Sequence, residues 1–293
     1  MDIEFLKNYL AIPSPSGFEL KGQRFWLDYL RPYSDEQMLD PYLNAACILK
    51  SKRENPFKIV IESHADEISW IVKSIDKYGS LSVMSNGGVH PHTAVTKRIW
   101  VHTRKGKVPG FFCNAGGEDK KLTEDSLTVD LGVTSRDDAR KLGVEIGDPI
   151  TYQDEFFQMG DYFVGRGLDN RIGAFIMAEV FKKLKGKDLA YDLYVVNSSQ
   201  EEVGKRGAEL VCKNIKPDMA LVLDVGFADA GYYCGGGPVV VTSPAIQKLL
   251  LRRITNVTRE HKIPYQLRAK GKNTMTNADI YSMNNVITGL IQL

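Results

Sequence analysis

The stretch YDLYVVNSSQEEVGKRGAE, residues 191–209, decides how the rest of the chain is read. YDLYVVNSS is an apolar, β-rich run, KRGAELVCKNI (205–215) has the spacing of a helix, and two adjacent acids, Glu201 and Glu202, stand between them. A strand that passes through a short polar turn into a helix is half of a strand-helix-strand unit. Such units build a sheet with helices packed on its faces. An acidic pair in a loop ordinarily does no more than face water. It gains meaning only if other acids and imidazoles stand at other strand ends.

The same rhythm continues on both sides. Toward the C-terminus, MALVLDV (219–225) reads as a strand, PAIQKLLLRRITNVTREH (244–261) as a long helix with Leu249 to Ile254 on its core face, and VITGLIQL (286–293) as a final strand. GGG at 235–237 reads as a flexible turn. Toward the N-terminus, a helix begins near Asn170 with Ile172, Ile176, Val180 and Leu184 in line. Between about 70 and 155 the pattern changes to short strands (SWIVKSI, LSVMS, RIWVHTR, KVPGFF, LTVDLG, DPITYQ) separated by turns such as DKYGS and RKGK, the signature of a small barrel or sandwich. Before that block lie the strands AACILK and FKIVIES. They are preceded by a helix over 2–11, the turn PSPSG, and an amphipathic helix carrying Phe18, Phe25, Trp26, Tyr29 and Leu30 that stops near Pro32. The expected fold class is therefore α/β: a sheet flanked by helices, formed by residues 1–69 and 156–293, with a β-rich domain over 70–155 inserted in it.

With 293 residues and 43% hydrophobic content the chain can bury a sizeable core. Lys and Arg number 38 against 36 Asp and Glu, a formal charge of +2, which argues against nucleic acid or an anionic membrane as partner. The four cysteines, Cys47, Cys113, Cys212 and Cys234, show no Cys-x-x-Cys spacing. The start, MDIEFLKNYLAIPSPSG, lacks the basic and apolar blocks of a signal peptide, and no segment has the length of a membrane span. A cytoplasmic protein is expected.

Ligands of open α/β sheets gather outside the carboxyl ends of the strands. His64 and Asp66 follow FKIVIES, Asp169 opens the helix after YFVGRGL, Glu201 and Glu202 follow YDLYVVNSS, and Asp224 ends MALVLD. So many acids on one edge repel one another unless a cation holds them, and mixed imidazole and carboxylate donors suit zinc, cobalt or manganese better than calcium. The carboxylates exceed what one tetrahedral ion needs, so two divalent ions are expected, one acid bridging them. Successive side chains at a strand end point in opposite directions. Glu201 and Glu202 therefore divide the labour, one as metal ligand and the other taking the proton of the attacking water.

These segments resemble a known family, the cytosolic dinuclear-metal aminopeptidases that include the glutamyl and deblocking aminopeptidases and the tetrahedral assemblies once labelled endoglucanase M. ESHADEIS is similar to that family's His-x-Asp-Glu-Ile segment, GRGLDNRIGA to its Leu-Asp-Asn-Arg-x-Gly segment, SSQEEVGKRGA to its Gln-Glu-Glu-Val-Gly segment, and LVLDV to its later ligand aspartate. HTRKGKVPG and GVEIGD are similar to its inserted domain. The resemblance implies a zinc-peptidase-like mixed sheet with a barrel-like insert. Its implied metal residues are His64, Asp169 and Asp224 on one ion, with Asp169 bridging to a second ion held also by Glu202. Glu201 becomes the general base, and Asp66, the other catalytic residue, sits behind His64 and orients its ring. The implied reaction is removal of N-terminal residues from short peptides by a metal-activated water. The insert is implied to serve dimerisation, and the chain to form homo-oligomers of as many as twelve subunits.

The family carries one further histidine ligand after its last strand, whereas this sequence stops at VITGLIQL, and the junctions FADAGYYCGGG and KGKNTMTNADIY are short. A shortened chain, residues beyond those given, or loss of the second ion would each explain it. A sheet ending on its last strand would expose an unpaired edge, which favours the first two. Two rivals follow: a catalytically impaired homologue acting in binding or assembly, and a glycoside hydrolase. The second needs two acids flanking a bond across open space, which neighbours on one strand end are not.

Blander readings apply elsewhere. Asp169 can also cap its helix, and Asp279, in TNADIY, is expected to cap the last one. His90 and His92, in GGVHPHT, read as a surface loop, and GRGLDNRIG lacks the full dinucleotide fingerprint.

Overall fold

The computed structural model describes residues 1–115, 122–153, 155–229 and 231–293. Helices α1 (Ile3–Ala11) and α2 (Leu20–Leu30) come first, followed by strands β1 (Glu36–Leu39), β2 (Ala45–Leu49) and β3 (Phe57–His64). Next are β4 (Ser69–Ile75), β5 (Leu81–Asn86), helix α3 (Pro91–Ala94), β6 (Arg98–Thr103), β7 (Gly106–Asn114), β8 (Leu127–Asp130), helix α4 (Arg136–Lys141) and β9 (Pro149–Tyr152). The hairpin β10 (Phe157–Met159) and β11 (Tyr162–Val164) leads into α5 (Leu168–Leu184), β12 (Tyr191–Ser198), α6 (Arg206–Ile215) and β13 (Met219–Asp224). The remainder is β14 (Val239–Thr242), α7 (Lys248–Glu260), β15 (Gln266–Ala269), α8 (Ala278–Met283) and β16 (Ile287–Gln292).

The eight-stranded sheet runs β1-β2-β12-β3-β13-β16-β14-β15. Its centre, β12, β3, β13 and β16, is parallel; β2 and β14 pair antiparallel on either side. Side chains alternate across each strand, so each central strand feeds two cores. Leu193 and Val195 join Ala45, Cys47 and Leu49 beneath α1, α2 and α5, where Leu6, Trp26, Phe175 and Phe181 are fully enclosed. Tyr194 and Val196 join Ala46, Ile48 and Val60 beneath α6 and α8, against Val211, Ile215 and Tyr281. Such near-continuous apolar strands are what a sheet covered on both faces requires.

Two glycines set how closely helices approach this sheet. A Cβ at Gly173 would collide with Ser63 Oγ, and one at Gly207 with the backbone of Ser199, so α5 and the start of α6 lie against strand ends that any larger residue would push away.

Strands β4 to β9 close a separate barrel, in the order β4-β5-β8-β7-β6-β9, over its own core of Trp70, Phe112, Leu81, Val101 and Ile150. Trp70 and Phe112 meet edge to face at 5.5 Å, and Trp70 Nε1 donates to the Tyr152 hydroxyl at 3.0 Å. Only residues 65–68 separate β3 from β4, so the HADEI segment joins the sheet to the barrel.

The mixed α/β class with a barrel-like insert is as the sequence predicts, but details differ. The stripe Ile172, Ile176, Val180 and Leu184 flanks the buried face of α5, which is centred on Arg171, Ala174, Phe175, Ala178 and Phe181; Val180 is 40% exposed. Only Thr255 and Thr258 of α7 are buried, and Leu249 is 68% exposed, because this helix covers the sheet beyond its fully buried centre. The final strand β16 is no edge: it lies between β13 and β14, and the edges are β1 and β15. Phe18 lies outside α2 and is exposed.

Trp26, with no exposed surface, spans α2 and α5 and donates from Nε1 to Ala174 O at 3.1 Å. Trp26→Ala is expected to destabilise the chain by about 3–5 kcal/mol, read as a shift of the urea midpoint, because it removes both the volume and the donor.

Candidate metal centre

The parallel register places the site. Ser198 of β12 pairs with His64 of β3, Val222 of β13 with Glu62, and Asp224 with Gln292 of β16, so the last residues of the four central strands stand in one row. Asp169 reaches this row from the start of α5. Gly167 holds φ +68, where a Cβ would strike the Arg171 guanidinium. The Asp169–Asn170 peptide is cis. Ser63 Oγ donates to Asn170 O at 2.8 Å and Asn170 Nδ2 to Leu223 O at 2.7 Å, so the segment is tied to β3 and β13 together.

Asp169 Oδ1 lies 3.2 Å from His64 Nε2, and Asp224 Oδ1 lies 3.8 Å from the same nitrogen. One ligand atom each from His64, Asp169 and Glu202 falls within 4.8 Å of the others. His64 is buried, whereas the Asp169 side chain is 53% exposed, so the cluster is open on that side. Glu201 is not part of this cluster, although it neighbours Glu202 in the chain.

The electrostatics are those of crowded acids. Burial pushes Glu202 up to about 8, with Asp169, Asp66 and Glu201 adding to it and His64 opposing. Asp224 is pushed up to about 6 by burial and by Asp169, again against His64. Glu201 rises to about 7, chiefly through burial, with Asp224 and Asp66 contributing. Burial alone would lower His64, but Asp169, Asp66 and Asp224 outweigh it and raise its pKa well above the ordinary value. No lysine or arginine among the described residues forms an ion pair with Asp169, Glu202 or Asp224. One imidazole faces several carboxylates, and the donor set suits a divalent cation of the zinc class.

Asp66 does more than face the imidazole. Its backbone oxygen lies 3.0 Å from His64 Nδ1 and its carboxylate 3.4 Å, which leaves Nε2 for the cluster. The same carboxylate accepts the amides of Glu201 at 2.9 Å and Glu202 at 3.1 Å, and the Ser16 hydroxyl at 2.6 Å. Burial would raise Asp66, yet His64, Ser16 and the Glu201 amide hold it below the ordinary carboxylate range. The next residue, Glu67, faces the other way. It pairs with Arg166 and Arg171 and accepts Ser14 N at 2.8 Å, which keeps it ionised despite complete burial.

Sequence reasoning missed Ser16, Glu19 and Arg166. PSPSG reads as a turn, and nothing in its spacing announces that Ser16 reaches Asp66 or that Glu19, just after it, accepts the amide of Gln200 some 180 residues away. Asp279 does not cap α8: it lies in the first turn and accepts Thr274 N at 2.8 Å and Met275 N at 3.0 Å, bracing the preceding loop. Asp169 and Asn170 have non-helical dihedrals (ψ 109 and φ −119), so the regular turns of α5 begin only after Asn170, and the Asp169 carboxylate faces His64. His90 and His92 are exposed beside the short α3 and join no cluster among the described residues.

A cavity of about 740 Å³ opens on Asp169 and Glu202. Its walls include Ile68, Tyr152, Phe157, Val164 and Leu168, with Glu155 and Arg166 among its charged members.

Comparison with known proteins places this arrangement. The chain is 32% identical to a lysyl aminopeptidase of Pyrococcus furiosus over 97% of its own length and 86% of the relative's. The crystal structure of a TET aminopeptidase from a marine-sediment archaeon of the Thaumarchaeota superposes with a TM-score of 0.91 at 30% identity, covering 99% of this chain and 88% of that one. An aminopeptidase of the archaeon Desulfurococcus kamchatkensis gives 0.89 at 26% identity, covering 99% and 86%. The model of the M42 glutamyl aminopeptidase family matches residues 44–292, which take in every strand end of the cluster, and the chain belongs to that family.

Proposed function

We propose that this chain removes N-terminal residues from short peptides as a metal-dependent aminopeptidase, with His64, Asp169, Glu202 and Asp224 as metal ligands and Glu201 as general base. The observation that carries the reading is the His64–Asp169–Glu202 cluster at the mouth of a cavity of peptide size, with Glu201 beside it and outside it. The family membership and the names of the relatives supply the peptide bond as the target.

His64, Asp169 and Asp224 would hold one ion, and Asp169 and Glu202 a second. Zinc or cobalt suits the donors best, and manganese is compatible. Divalent ions in such a site supply Lewis acidity toward the scissile carbonyl and lower the pKa of water. Glu201 then takes a proton from the attacking water onto its carboxylate. The water oxygen bonds to the carbonyl carbon, the C–N bond breaks, and the proton passes from Glu201 to the departing amine. Its place beside the cluster and outside the ligand set leaves the Glu201 carboxylate available for both directions of that transfer. Asp66 is a positioning residue here: it fixes the ring of His64 and the backbone that carries Glu201 and Glu202.

Assembly into a homo-oligomer, of dimers and up to twelve copies, and a cytoplasmic location complete the proposal. Phe157, Met159, Tyr162 and Phe163 expose a large apolar surface on the β10–β11 hairpin, which favours self-association. Light scattering coupled to size exclusion is expected to give a mass of two or more chains, and a monomer at micromolar concentration would overturn that part.

Glu201→Gln is expected to lower kcat on aminoacyl anilides by about 10²–10⁴-fold, with metal content by elemental analysis unchanged. Turnover within tenfold of wild type would remove Glu201 from its role. Asp169→Ala, which deletes the shared ligand, is expected to lose both bound metal and chelator-sensitive hydrolysis, and a variant that keeps two ions per chain would overturn the bridging assignment.

A further inference from the structure

The turn that carries Glu201 and Glu202 presents three successive amides, and each ends on a buried carboxylate. Asp66 accepts those of Glu201 and Glu202. The amide before them, Gln200 N, donates to Glu19 Oε1 at 3.2 Å. Gln200 stands at φ +55, a conformation that non-glycine residues rarely hold without a compensating contact. Glu19 is itself fully buried. Its Oε1 also accepts Gly17 N at 2.9 Å, and its Oε2 has no hydrogen-bond partner among the described residues. A buried carboxyl with one oxygen unmatched costs stability, and mere packing of the 13–19 loop does not call for one.

We propose that Glu19 is a positioning residue that sets the Gln200–Glu202 turn, and through it the aim of the Glu201 carboxylate and the reach of Glu202 to the second ion. The inference rests on the metallopeptidase reading above. Glu19 and Asp66 act as a pair from two different segments. The 13–19 loop, which carries Glu19, is tied to Asp66 by the Ser16 hydroxyl and to the end of β5 by Asn86 Nδ2, which donates to Ser16 O at 3.0 Å. The loop, the sheet-to-barrel joint and the catalytic turn thus form one hydrogen-bonded unit. Glutamine has the same side-chain length and keeps an accepting oxygen for the amides of Gly17 and Gln200, so it is a close mimic of Glu19.

The test compares Glu19→Ala, Glu19→Asp and Glu19→Gln with the wild type. Two readouts are used: kcat and KM on an aminoacyl anilide, and zinc affinities by competition with a chromophoric chelator. Ala removes the acceptor, Asp draws it back by one methylene, and Gln keeps it. Ala and Asp are expected to lower kcat by about 10- to 100-fold at a KM within about threefold, and to weaken the second zinc by about tenfold while sparing the first. Gln is expected to restore both. A purely structural role would shift only the unfolding midpoint, so folded Ala and Asp variants with wild-type kcat and zinc affinities overturn the proposal. So does a Gln variant as impaired as Ala. If Ala fails to fold, Asp carries the comparison. A wild-type chain that binds zinc but hydrolyses no anilide overturns the peptidase reading and leaves Glu19 judged on the zinc arm; one that binds no zinc overturns both.

Discussion

Several carboxylates are held around a single imidazole at the carboxyl edge of four parallel strands, and among the described residues no lysine or arginine forms an ion pair with the cluster acids. That imbalance is the constraint on which the rest depends. Each acid comes from a different element: Asp169 from the start of α5, Glu202 from the β12–α6 turn, Asp224 from β13. A cation drawing them together would therefore also fasten helix, turn and strand to one another, and its binding free energy would become part of the stability of this edge of the sheet. In the metal-free cluster burial chiefly, with Asp169 adding to it, raises Glu202 and Asp224, and a bound cation would oppose that rise.

Holding like charges close demands a stiff frame, and the frame here is also built from buried acids. Asp66 and Glu67 are adjacent in an extended connection, so they face opposite ways. Asp66 collects a hydroxyl from the N-terminal loop and two amides from the 200–202 turn. Glu67 collects two guanidinium groups and the Ser14 amide. Arg171, wholly buried, extends that second system by donating to Tyr9 O at 2.8 Å and Ile12 O at 2.6 Å. Paired buried charges of this sort fix geometry more than they add stability, which is what a site assembled from five segments needs.

Much of this was legible in the sequence. The change from helical to alternating periodicity at about residue 70, and back near 160, gave the two architectures. Acids at the ends of apolar runs gave the cluster, because a strand end is a place that local pattern can locate. What stayed hidden depends on tertiary contact. The strands of 36–39, 239–242 and 266–269 are short and lie toward the flanks of the sheet, where alternation is weak. The buried face of α5 was misplaced because Arg171 and Gly173, polar or small, belong to it for reasons outside the helix: a carbonyl cage and a close approach to Ser63. Glu19 was invisible for the same reason. Its partner amide is a backbone group, and backbone groups leave no mark on sequence.

The cavity beside the cluster links the barrel to the chemistry. Tyr152 and Gln153 reach it from the end of β9, and Phe157 and Val164 from the hairpin that returns the chain to α5, so the insert and its return segment form one wall while Asp169 and Glu202 stand on the other. Tyr152 is fixed from within the barrel, since its hydroxyl accepts Trp70 Nε1 and its ring lies 6.3 Å from Phe112. A change in barrel packing thus reaches the cavity wall through one side chain. The hairpin exposes Met159, Tyr162 and Phe163 to solvent while its Phe157 and Val164 line the cavity. The same eight residues, 157–164, therefore carry both an exposed apolar face and part of the cavity wall.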